Sequence, residues 1–392
     1  MGQTVVSLAV LSCIVWLYLV LFRGGFWRGE CRVGSEPIET FDGRDEWPAV
    51  VVVIPARNEA DVIGQTVESL LTQDYPRPVS VILVNDNSED GTVAAARAAA
   101  EGIREQARLR VVDGAPLAPG WAGKVWAMDQ GVSHARDHFP DARYILFSDA
   151  DIAHERSNLR RLVARAESGQ KDLVSIMVTL AVADVWERLL VPPFVFFFQM
   201  LYPFAWVNDD ARKSTAAAAG GCMLVRRSAL ERAGGMSAMR DALIDDCRLA
   251  RLIADTGGRL WLGLSAETRS VRPYGGLRGV WRMVARSAYT QLGYSPWLLA
   301  GCVLAMLLVF AAPPAAVFVS PWLGPAAAVP GLAAYGLMCV AYLPTLKFYR
   351  RPGVAAVLLP VAAMLYTAMT IASAIRHWEG KGGGWKGRVY PH

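Results

Sequence analysis

The strongest candidate for chemistry in this sequence is a pair of carboxylates, Asp149 and Asp151, which follow the apolar run 144–147. Such a run predicts a buried strand, and residues i and i+2 of an extended chain point the same way, about 6.6 Å apart. The two negative charges would therefore lie on one side of a strand end, where a divalent cation would neutralise them. Oxygen ligands favour Mg²⁺ or Mn²⁺, and such an ion keeps coordination sites for phosphate oxygens. The alternative is that Asp151 only caps the helix that follows.

A second acidic pair, Asp245 and Asp246, lies near the start of the amphipathic stretch 242–253. Negative charge at the start of a helix is favourable by itself, because it complements the helix dipole. The functional interpretation is that one of the two carboxylates acts as a general base. Upstream, Lys124 lies in a glycine-flanked turn that opens a helix, a position suited to a phosphate contact.

Some further polar residues are weaker candidates. The stretch 55–59 (PARNE) and Asp86 offer carboxylate and amide groups that suit a base or a ribose. His134 and His138 are four residues apart but lack the Glu-x-x-His context of a zinc site, so a surface position is the better interpretation. His154 is a further candidate to approach a metal beside the Asp-x-Asp pair.

An α/β domain spanning 47–275 must position these side chains. Apolar runs typical of strands alternate there with segments of helical period, which predicts a largely parallel sheet with helices on both faces. Ligands of such sheets bind at the carboxyl ends of the strands, where the polar residues lie. No G-x-G-x-x-G or G-x-x-x-x-G-K-[ST] motif occurs, which argues against a dinucleotide or P-loop site. The predicted strands are 49–54, 79–84, 109–112 and 144–147, and the predicted helices are 61–71, 92–106, 124–136 and 157–167.

Composition and hydropathy predict a membrane protein. Hydrophobic residues make up 53% of the 392 positions and the mean hydropathy is +0.27, which is too apolar for a purely soluble enzyme. Residues 4–22 carry no charge and predict an uncleaved transmembrane anchor within 1–24; a secretory signal is the alternative, but a basic n-region and a cleavage site are missing. Arginines after residue 22 place the next segment on the cytoplasmic side, so we expect the inner (cytoplasmic) membrane. The net charge of only +5 implies no polyanion-binding surface and hence no nucleic-acid partner.

The C-terminal region 287–376 predicts further membrane helices. Residues 287–346 contain no charged residue and no histidine, and they suffice for two spans with a turn at 320–325; a third apolar run follows at 353–375. Three crossings from a cytoplasmic domain would place the tail, 377–392, outside, whereas the basic residues in and just before it predict an inside position. The sequence does not decide between these interpretations.

An aromatic segment, 189–207, interrupts the α/β pattern and contains Phe196, Phe197 and Phe198. Its prolines argue against a crossing helix. Because such a density of aromatic residues is typical of membrane interfaces, we expect the segment to lie in the bilayer surface, with a buried core helix as the alternative.

The motifs, taken in order, resemble glycosyltransferase family 2 over roughly residues 48–275. They are VVVIPARNEADVIGQTVESLL, VNDNSEDGT, GKVWAMDQG, SDADI, GGCMLVRRSAL and IDDCRLARL. Together with the apolar runs they look most like membrane-bound lipid glycosyltransferases, in particular those associated with hopanoid biosynthesis. The resemblance implies a GT-A fold, a nucleotide-sugar donor such as a UDP-sugar, inversion at the anomeric carbon and a lipid acceptor.

The resemblance also implies roles for individual residues. Asp246 would be the base, and Asp151 would ligate the metal together with Asp149. We expect the acceptor and the membrane beside Asp245 and the three phenylalanines 196–198. The residues implied to contact the nucleotide sugar are Pro55, Ala56, Glu59, Asp86, Lys124 and Asp149.

The chain departs from the family pattern in three places, and two rival functions stay open. The acidic pair is Asp-Asp where the family usually has Glu-Asp, and Arg251 lies one residue before the position at which the pattern would put an arginine. The downstream Q-x-x-R-W appears only as QLGYSPW (291–297), without the arginine. A haloacid-dehalogenase-type membrane phosphatase also uses Asp-x-Asp after a strand, although there it is the first strand of the domain. The second rival is a non-catalytic membrane scaffold.

Overall fold

The structure, a computed structural model, describes residues 2–32 and 47–382 and the backbone of 384–385 and 388–389. Met1 of the predicted anchor, the segment 33–46 and residues 383, 386–387 and 390–392 of the predicted basic tail lie outside the described residues.

Eight strands form one mixed sheet in the described part of the chain, with the spatial order β3-β2-β1-β4-β7-β6-β8-β5. They are β1 (Ala49–Ala56), β2 (Ser80–Asn85), β3 (Leu109–Asp113), β4 (Ala142–Ser148), β5 (Ile152–Ala153), β6 (Leu173–Thr179), β7 (Cys222–Arg226) and β8 (Leu260–Ser270). The four strands predicted from the sequence are β1 to β4, and they pair in parallel as expected. The later strand β7 is antiparallel to both β4 and β6, so the sheet is mixed. A separate two-residue strand β9 (Gly384–Trp385) pairs with β10 (Arg388–Val389).

Helices flank the sheet and continue into the apolar regions at both ends of the chain. Those before and within the α/β domain are α1 (Gly2–Phe22), α2 (Ile63–Leu71), α3 (Thr92–Gly102), α4 (Gly123–His138), α5 (Asn158–Ser168), α6 (Val185–Leu201), α7 (Phe204–Val207), α8 (Arg227–Arg232) and α9 (Asp245–Asp255). Those that follow are α10 (Leu277–Gln291), α11 (Pro296–Met306), α12 (Ala312–Leu323), α13 (Pro325–Phe348) and α14 (Leu359–Trp378).

The position of β1 inside the sheet explains why its sequence is a continuous run of valines and isoleucine. Its residues alternate between two cores: Val51 and Val53 belong to one, and Val50, Val52 and Ile54 to the other. A strand with both faces covered has no solvent side, so its sequence loses the polar alternation of a half-exposed strand. Strand β1 lies between β2 and β4. The strands β2 and β3 are therefore added on one side of β1, and β4 is added on its other side. Such a switch point leaves a crevice at the carboxyl ends of the strands.

In the part of the chain that the structure describes, four helices are long and apolar enough to cross a membrane, judged by length and composition: Gly2–Phe22, Pro296–Leu323, Pro325–Phe348 and Gly353–Trp378. The second of these combines α11, the π-helical segment Leu307–Ala311 and α12. It is separated from α13 by Gly324 alone, which has a positive φ of 73°. The turn predicted at 320–325 is thus confirmed, because glycine adopts this conformation without the steric penalty of a side chain.

The aromatic segment 189–207, which we expected to lie in the bilayer surface, is largely helical. Most of it forms α6, in which Phe196 is fully buried between Phe26 and Tyr342. Phe197 and Phe198 are half-buried, and Phe197 contacts the ring of Tyr366 in α14. The alternative interpretation, a buried helix, therefore describes Phe196. An aromatic side chain can be buried either in the protein core or in lipid, and the sequence alone does not distinguish the two environments.

Candidate active site

A cavity of about 240 Å³ lies at the carboxyl ends of β1 and β4. It brings together side chains from positions 55 to 286 and includes most of the polar residues predicted from the sequence. Its charged lining consists of four carboxylates and three cations. The lining residues are Pro55, Glu59, Ala122, Lys124, Asp149, Ala150, Asp151, Ala242, Leu243, Asp245, Arg272 and Arg286.

Lys124 connects the two acidic pairs. It lies in the first turn of α4, and its Nζ is 2.8 Å from Asp149 Oδ1 and 3.0 Å from Asp245 Oδ2. Burial alone would lower the pKa of Lys124, but the two carboxylates together outweigh burial and raise it above its ordinary value. The lysine therefore stays charged, and an ammonium group neutralises Asp149 in this structure. Asp245, which we expected beside the acceptor, is held on the Lys124 side of the cavity.

Asp151, the second member of the Asp-x-Asp pair, is held by two hydrogen bonds. Its Oδ2 accepts a hydrogen bond from the Ser270 hydroxyl at 3.0 Å, and its carbonyl oxygen accepts one from Val271 N at 2.8 Å. Burial, and then the charge of Asp149, raise the pKa of Asp151. A nearby cation would reverse this effect, because it favours the ionised carboxylate.

The side chains at this position suit a magnesium-type ion whose ligands come partly from the protein and partly from a substrate. Among the described residues, no three His, Cys, Asp or Glu side chains are grouped as a protein-only metal site. The protein thus offers two carboxylates, from Asp149 and Asp151. Mg²⁺ is usually bound by one or two carboxylates, with phosphate oxygens and water completing its shell, so the residues present fit such an ion.

Asp246 differs from its neighbour in its surroundings, although the two are adjacent in sequence. Its Oδ2 accepts a hydrogen bond from Gly220 N at 2.9 Å and its Oδ1 accepts one from Cys247 N at 2.7 Å. Burial, and then the charge of Asp245, raise the pKa of Asp246 to about 6. A carboxyl with this pKa is ionised near neutral pH yet basic enough to accept a proton, which is what a general base requires.

The residues predicted to hold a nucleoside lie together at the ends of β1 and β2. Pro55 and Ala56 end β1, and Asp86 follows β2, with Asp86 N donating to the Ala56 carbonyl at 2.8 Å. The Arg57 side chain donates to the Asp86 carbonyl at 2.7 Å, which fixes the loop. Pro55 and Glu59 line the cavity, whereas Ala56 and Asp86 are buried and are not among its lining residues.

Two arginines that line the cavity were not predicted from the sequence. Arg272 lies just beyond β8, and its guanidinium is ion-paired with the Glu59 carboxylate. Arg286 lies on α10 and is exposed. The sequence offered one signal: Arg278, Arg282 and Arg286 recur every four residues and therefore share one face of α10. It could not show that only Arg286 of these three reaches the cavity.

The downstream motif that we compared with Q-x-x-R-W does not reach the cavity. The Gln291 side chain donates to the Tyr202 hydroxyl, and Trp297 is among the most exposed apolar residues of the chain. His154 is also not directed at a metal. It is buried, with Nε2 2.8 Å from the Ser148 hydroxyl and Nδ1 3.1 Å from Asn158 Nδ2, and burial lowers its pKa to about 3. His154 is therefore a neutral, structural residue.

Comparisons with known proteins agree with this geometry. Residues 51–234 match the model of the family Glycosyl transferase family 2. Over 130 residues it is 35% identical to 4,4'-diaponeurosporenoate glycosyltransferase of Staphylococcus aureus (strain MRSA252). The match covers 33% of this chain and 31% of that relative, so the chain matches less than a third of the relative's length.

One solved structure is similar over nearly the whole chain. It is a mannosyltransferase from Pyrobaculum calidifontis in complex with GDP-Man and Mn²⁺, with 20% sequence identity and a TM-score of 0.55. The alignment covers 95% of this chain and 99% of that one. Together with the family match, this likeness confirms the predicted GT-A type of fold.

Proposed function

We propose that this protein, through the family 2 domain in residues 51–234, transfers a sugar from a nucleotide-sugar donor to a hydroxyl group of a membrane lipid. The observation that carries the proposal is the cavity in which Asp149, Asp151 and Lys124 meet Arg286 of α10. It combines anionic and cationic groups suited to a metal-bound diphosphate, and α10 leads directly into the apolar helices. The donor is a UDP-sugar and the reaction inverts the anomeric carbon, as the family resemblance implies.

The charge of the cavity supports a divalent cation as part of the bound donor. Four carboxylates face three cations, so the lining carries one formal negative charge before a diphosphate arrives. When bound at Asp149 and Asp151, Mg²⁺ or Mn²⁺ would neutralise charge on the departing nucleoside diphosphate. Lys124 and Arg286 contact the phosphate oxygens, and Lys124 then exchanges part of its contact with Asp149 for the donor.

Asp246 acts as the general base. Its two backbone hydrogen bonds fix the carboxylate while leaving each oxygen with a further acceptor position. The acceptor oxygen attacks the anomeric carbon from the face opposite the leaving diphosphate, and its proton passes to Asp246. The bond between the anomeric carbon and the diphosphate oxygen breaks with both electrons going to that oxygen, which inverts the configuration.

The acceptor is a lipid alcohol because the site adjoins the apolar helices. Arg286 lies five residues before the end of α10, about 7.5 Å along the helix, and the next apolar helix begins at Pro296. Withdrawing a lipid from the bilayer costs about 0.8 kcal/mol per methylene group, so an enzyme gains by acting at the membrane surface. A hopanoid is favoured by the resemblance. A polyprenyl phosphate and diacylglycerol are the substitutes to be tested beside it.

The position of α14 relative to α12 and α13 bears on whether this helix crosses the membrane. Helices α12 and α13 pack as an antiparallel pair, so the loop before α11 and the loop after α13 lie at the same end of that pair. α14 begins soon after the loop that follows α13, and its last turns pack beside the loop that precedes α11. The Tyr289 amide donates to Ser373 Oγ at 3.1 Å, and the rings of Tyr294 and His377 stack 4.4 Å apart. Both ends of α14 are therefore at one end of the helix pair.

The middle of α14 packs along the α/β domain. The Tyr366 hydroxyl donates to the Leu190 carbonyl of α6 at 2.8 Å, and Ala362 and Met369 are fully buried. The opposite face exposes apolar side chains such as Val361. We infer that α14 lies in the plane of the bilayer between domain and lipid, and that the other three apolar helices cross. The tail then returns to the cytoplasmic side together with the α/β domain, where its basic residues are expected.

Fusion reporters test this arrangement. Green fluorescent protein fused after residue 392 should fluoresce, since it folds on the cytoplasmic side, and alkaline phosphatase at the same point should be inactive. An active phosphatase fusion and a dark fluorescent fusion would mean that α14 crosses.

The function itself is tested with purified protein, radiolabelled nucleotide sugars and defined lipids in vesicles. The expected result is a labelled lipid whose formation is lost in Asp246→Asn. Release of inorganic phosphate from phosphate esters without sugar transfer would instead support the phosphatase, and absence of any turnover would support the scaffold.

A further inference from the structure

The turn that carries Asp149 and Asp151 is held through its backbone as well as through its side chains. Each of its three consecutive carbonyl groups accepts a hydrogen bond from a different part of the fold. The Asp149 carbonyl accepts one from the Ser148 hydroxyl at 3.0 Å, and the Ala150 carbonyl accepts one from the Thr66 hydroxyl of α2 at 2.8 Å. The Asp151 carbonyl is held by the backbone just beyond β8. The chain between the two carboxylates is therefore fixed at every carbonyl group.

The Ser148 hydroxyl is in turn held by His154. His154 Nε2 is 2.8 Å from Ser148 Oγ, and His154 Nδ1 is 3.1 Å from Asn158 Nδ2. Because Asn158 donates to Nδ1, the single ring proton of the neutral histidine is on Nε2 and is donated to Ser148. The Ser148 proton is then donated to the Asp149 carbonyl. A chain of hydrogen bonds thus runs from α5 through the histidine ring to the peptide group between the two carboxylates.

The side chains of this hydrogen-bond chain are all buried. Ser148 and Asn158 are 2% exposed, and His154 is 6% exposed. A hydrogen bond in such surroundings is stronger than one in water, and a polar group that loses its partner there costs free energy. The chain therefore resists any rotation of the peptide group at which it ends.

One face of α2 supports the same turn. The His154 amide donates to Ser69 Oγ at 3.0 Å, and Ser69 lies three residues after Thr66, which places the two hydroxyls on one side of the helix. Gln73, four residues further along, donates to the Glu155 carbonyl at 2.9 Å. Helix α2 therefore contacts the turn and the residues that follow it along their whole length.

The orientation of this peptide group matters because Asp149 and Asp151 carry like charges. Both carboxylates line the active-site cavity. In the absence of a cation their repulsion favours a turn in which they diverge. A turn that must first rearrange binds a cation more weakly than one that is already in place.

We propose that Ser148 and His154 are positioning residues, which keep Asp149 and Asp151 directed to the same side of the turn for a divalent cation. The inference rests on the proposed function, because it concerns the metal-bound donor. Neither Ser148 nor His154 is among the residues that line the cavity. Both therefore act through the backbone of the turn and not by contact with the substrate.

Mn²⁺ binding to the full-length protein in detergent, with UDP present and no acceptor, measures this role without sugar transfer. The EPR signal of free Mn²⁺ is lost on binding, so a titration gives the affinity. Ser148→Ala should weaken Mn²⁺ binding about 10- to 100-fold, the usual range for groups that orient metal ligands. His154→Gln, whose amide nitrogen replaces Nε2 as the donor to Ser148, should keep most of the affinity. His154→Asn, whose carbonyl oxygen replaces only Nδ1, should lose as much as Ser148→Ala.

Tyr144→Phe is the matched control. Tyr144 is fully buried near the other end of β4, and its hydroxyl donates to Glu167. It lies four residues before Ser148, about 13 Å along the strand. The substitution should lower the melting temperature, as Ser148→Ala does, but should leave Mn²⁺ binding unchanged.

Three results would overturn this inference alone, because in each of them the native protein still binds Mn²⁺. Native affinity in Ser148→Ala would mean that the two carboxylates need no support from the hydroxyl. Equal affinities of His154→Gln and His154→Asn would mean that the ring only fills space. An equal loss in Tyr144→Phe would mean a general loosening of the sheet. Absence of Mn²⁺ binding by the native protein would overturn the metal of the proposed function and this inference together.

Discussion

Replacing Asp246 by asparagine tests the general base most directly. The structure defines two separate effects of this change. The carboxylate accepts one backbone N–H on each oxygen, from Gly220 and Cys247, and asparagine can accept only on one. The amide that loses its acceptor should reduce the stability of the fold by about 1–3 kcal/mol. Removal of the base should lower kcat by about 10²–10⁴-fold, which corresponds to roughly 2.7–5.5 kcal/mol of barrier.

The pH dependence separates the base from a structural role. A general base works only when ionised, so activity should rise with pH through the Asp246 pKa of about 6. Between pH 7 and pH 5 the ionised fraction falls from about nine-tenths to about one-tenth, and kcat of the native protein should fall about tenfold. The residual activity of Asp246→Asn should lack this dependence.

The assay measures initial rates of lipid glycosylation at saturating donor from pH 5 to 8, with donor binding measured in parallel. Asp255→Asn is the matched control, because Asp255 lies on the same helix but pairs with Arg251 at the surface. The control should keep its rate and its pH profile. If Asp246→Asn retains more than a tenth of the native kcat, or still loses activity below pH 6, Asp246 is not the base. An equal loss of donor binding would also refute this role.

Further predictions concern the metal, the leaving group and the aromatic helix. Asp151→Asn should abolish transfer in a folded protein, and EDTA should abolish native activity reversibly; full activity in EDTA would remove the metal from the reaction. Arg286→Ala should weaken donor binding about 10- to 100-fold, the range for a hydrogen bond to a charged group, whereas Arg282→Ala on the same face of α10 should not. Phe196→Ala should destabilise the fold by about 3–5 kcal/mol and lower the melting temperature in detergent, while exposed Leu201→Ala on the same helix should not. A loss of lipid transfer in Phe196→Ala without any loss of stability would instead restore the acceptor role first expected for this residue.

Local sequence patterns determined the parts of this protein that depend on a few consecutive residues. Buried runs predicted β1 to β4, and helical periods predicted the helices between them, because strand and helix differ in the period of their apolar positions. The Asp149–Asp151 pair was found because it ends such a run. The apolar helices were found because a stretch without charges cannot stay in water, and the turn before α13 because it contains glycine and proline.

Tertiary structure decided which distant groups meet and what covers each apolar surface. Asp245 and Asp246 are adjacent in sequence, yet only one pairs with Lys124, because α9 turns them toward different neighbours. Arg286 reaches the cavity through the packing of α10, which no local pattern encodes. Apolarity likewise shows that a segment avoids water, but not whether protein or lipid replaces it. The buried α6 and the position of α14 follow from packing against the α/β domain, which is formed by residues far away in the chain.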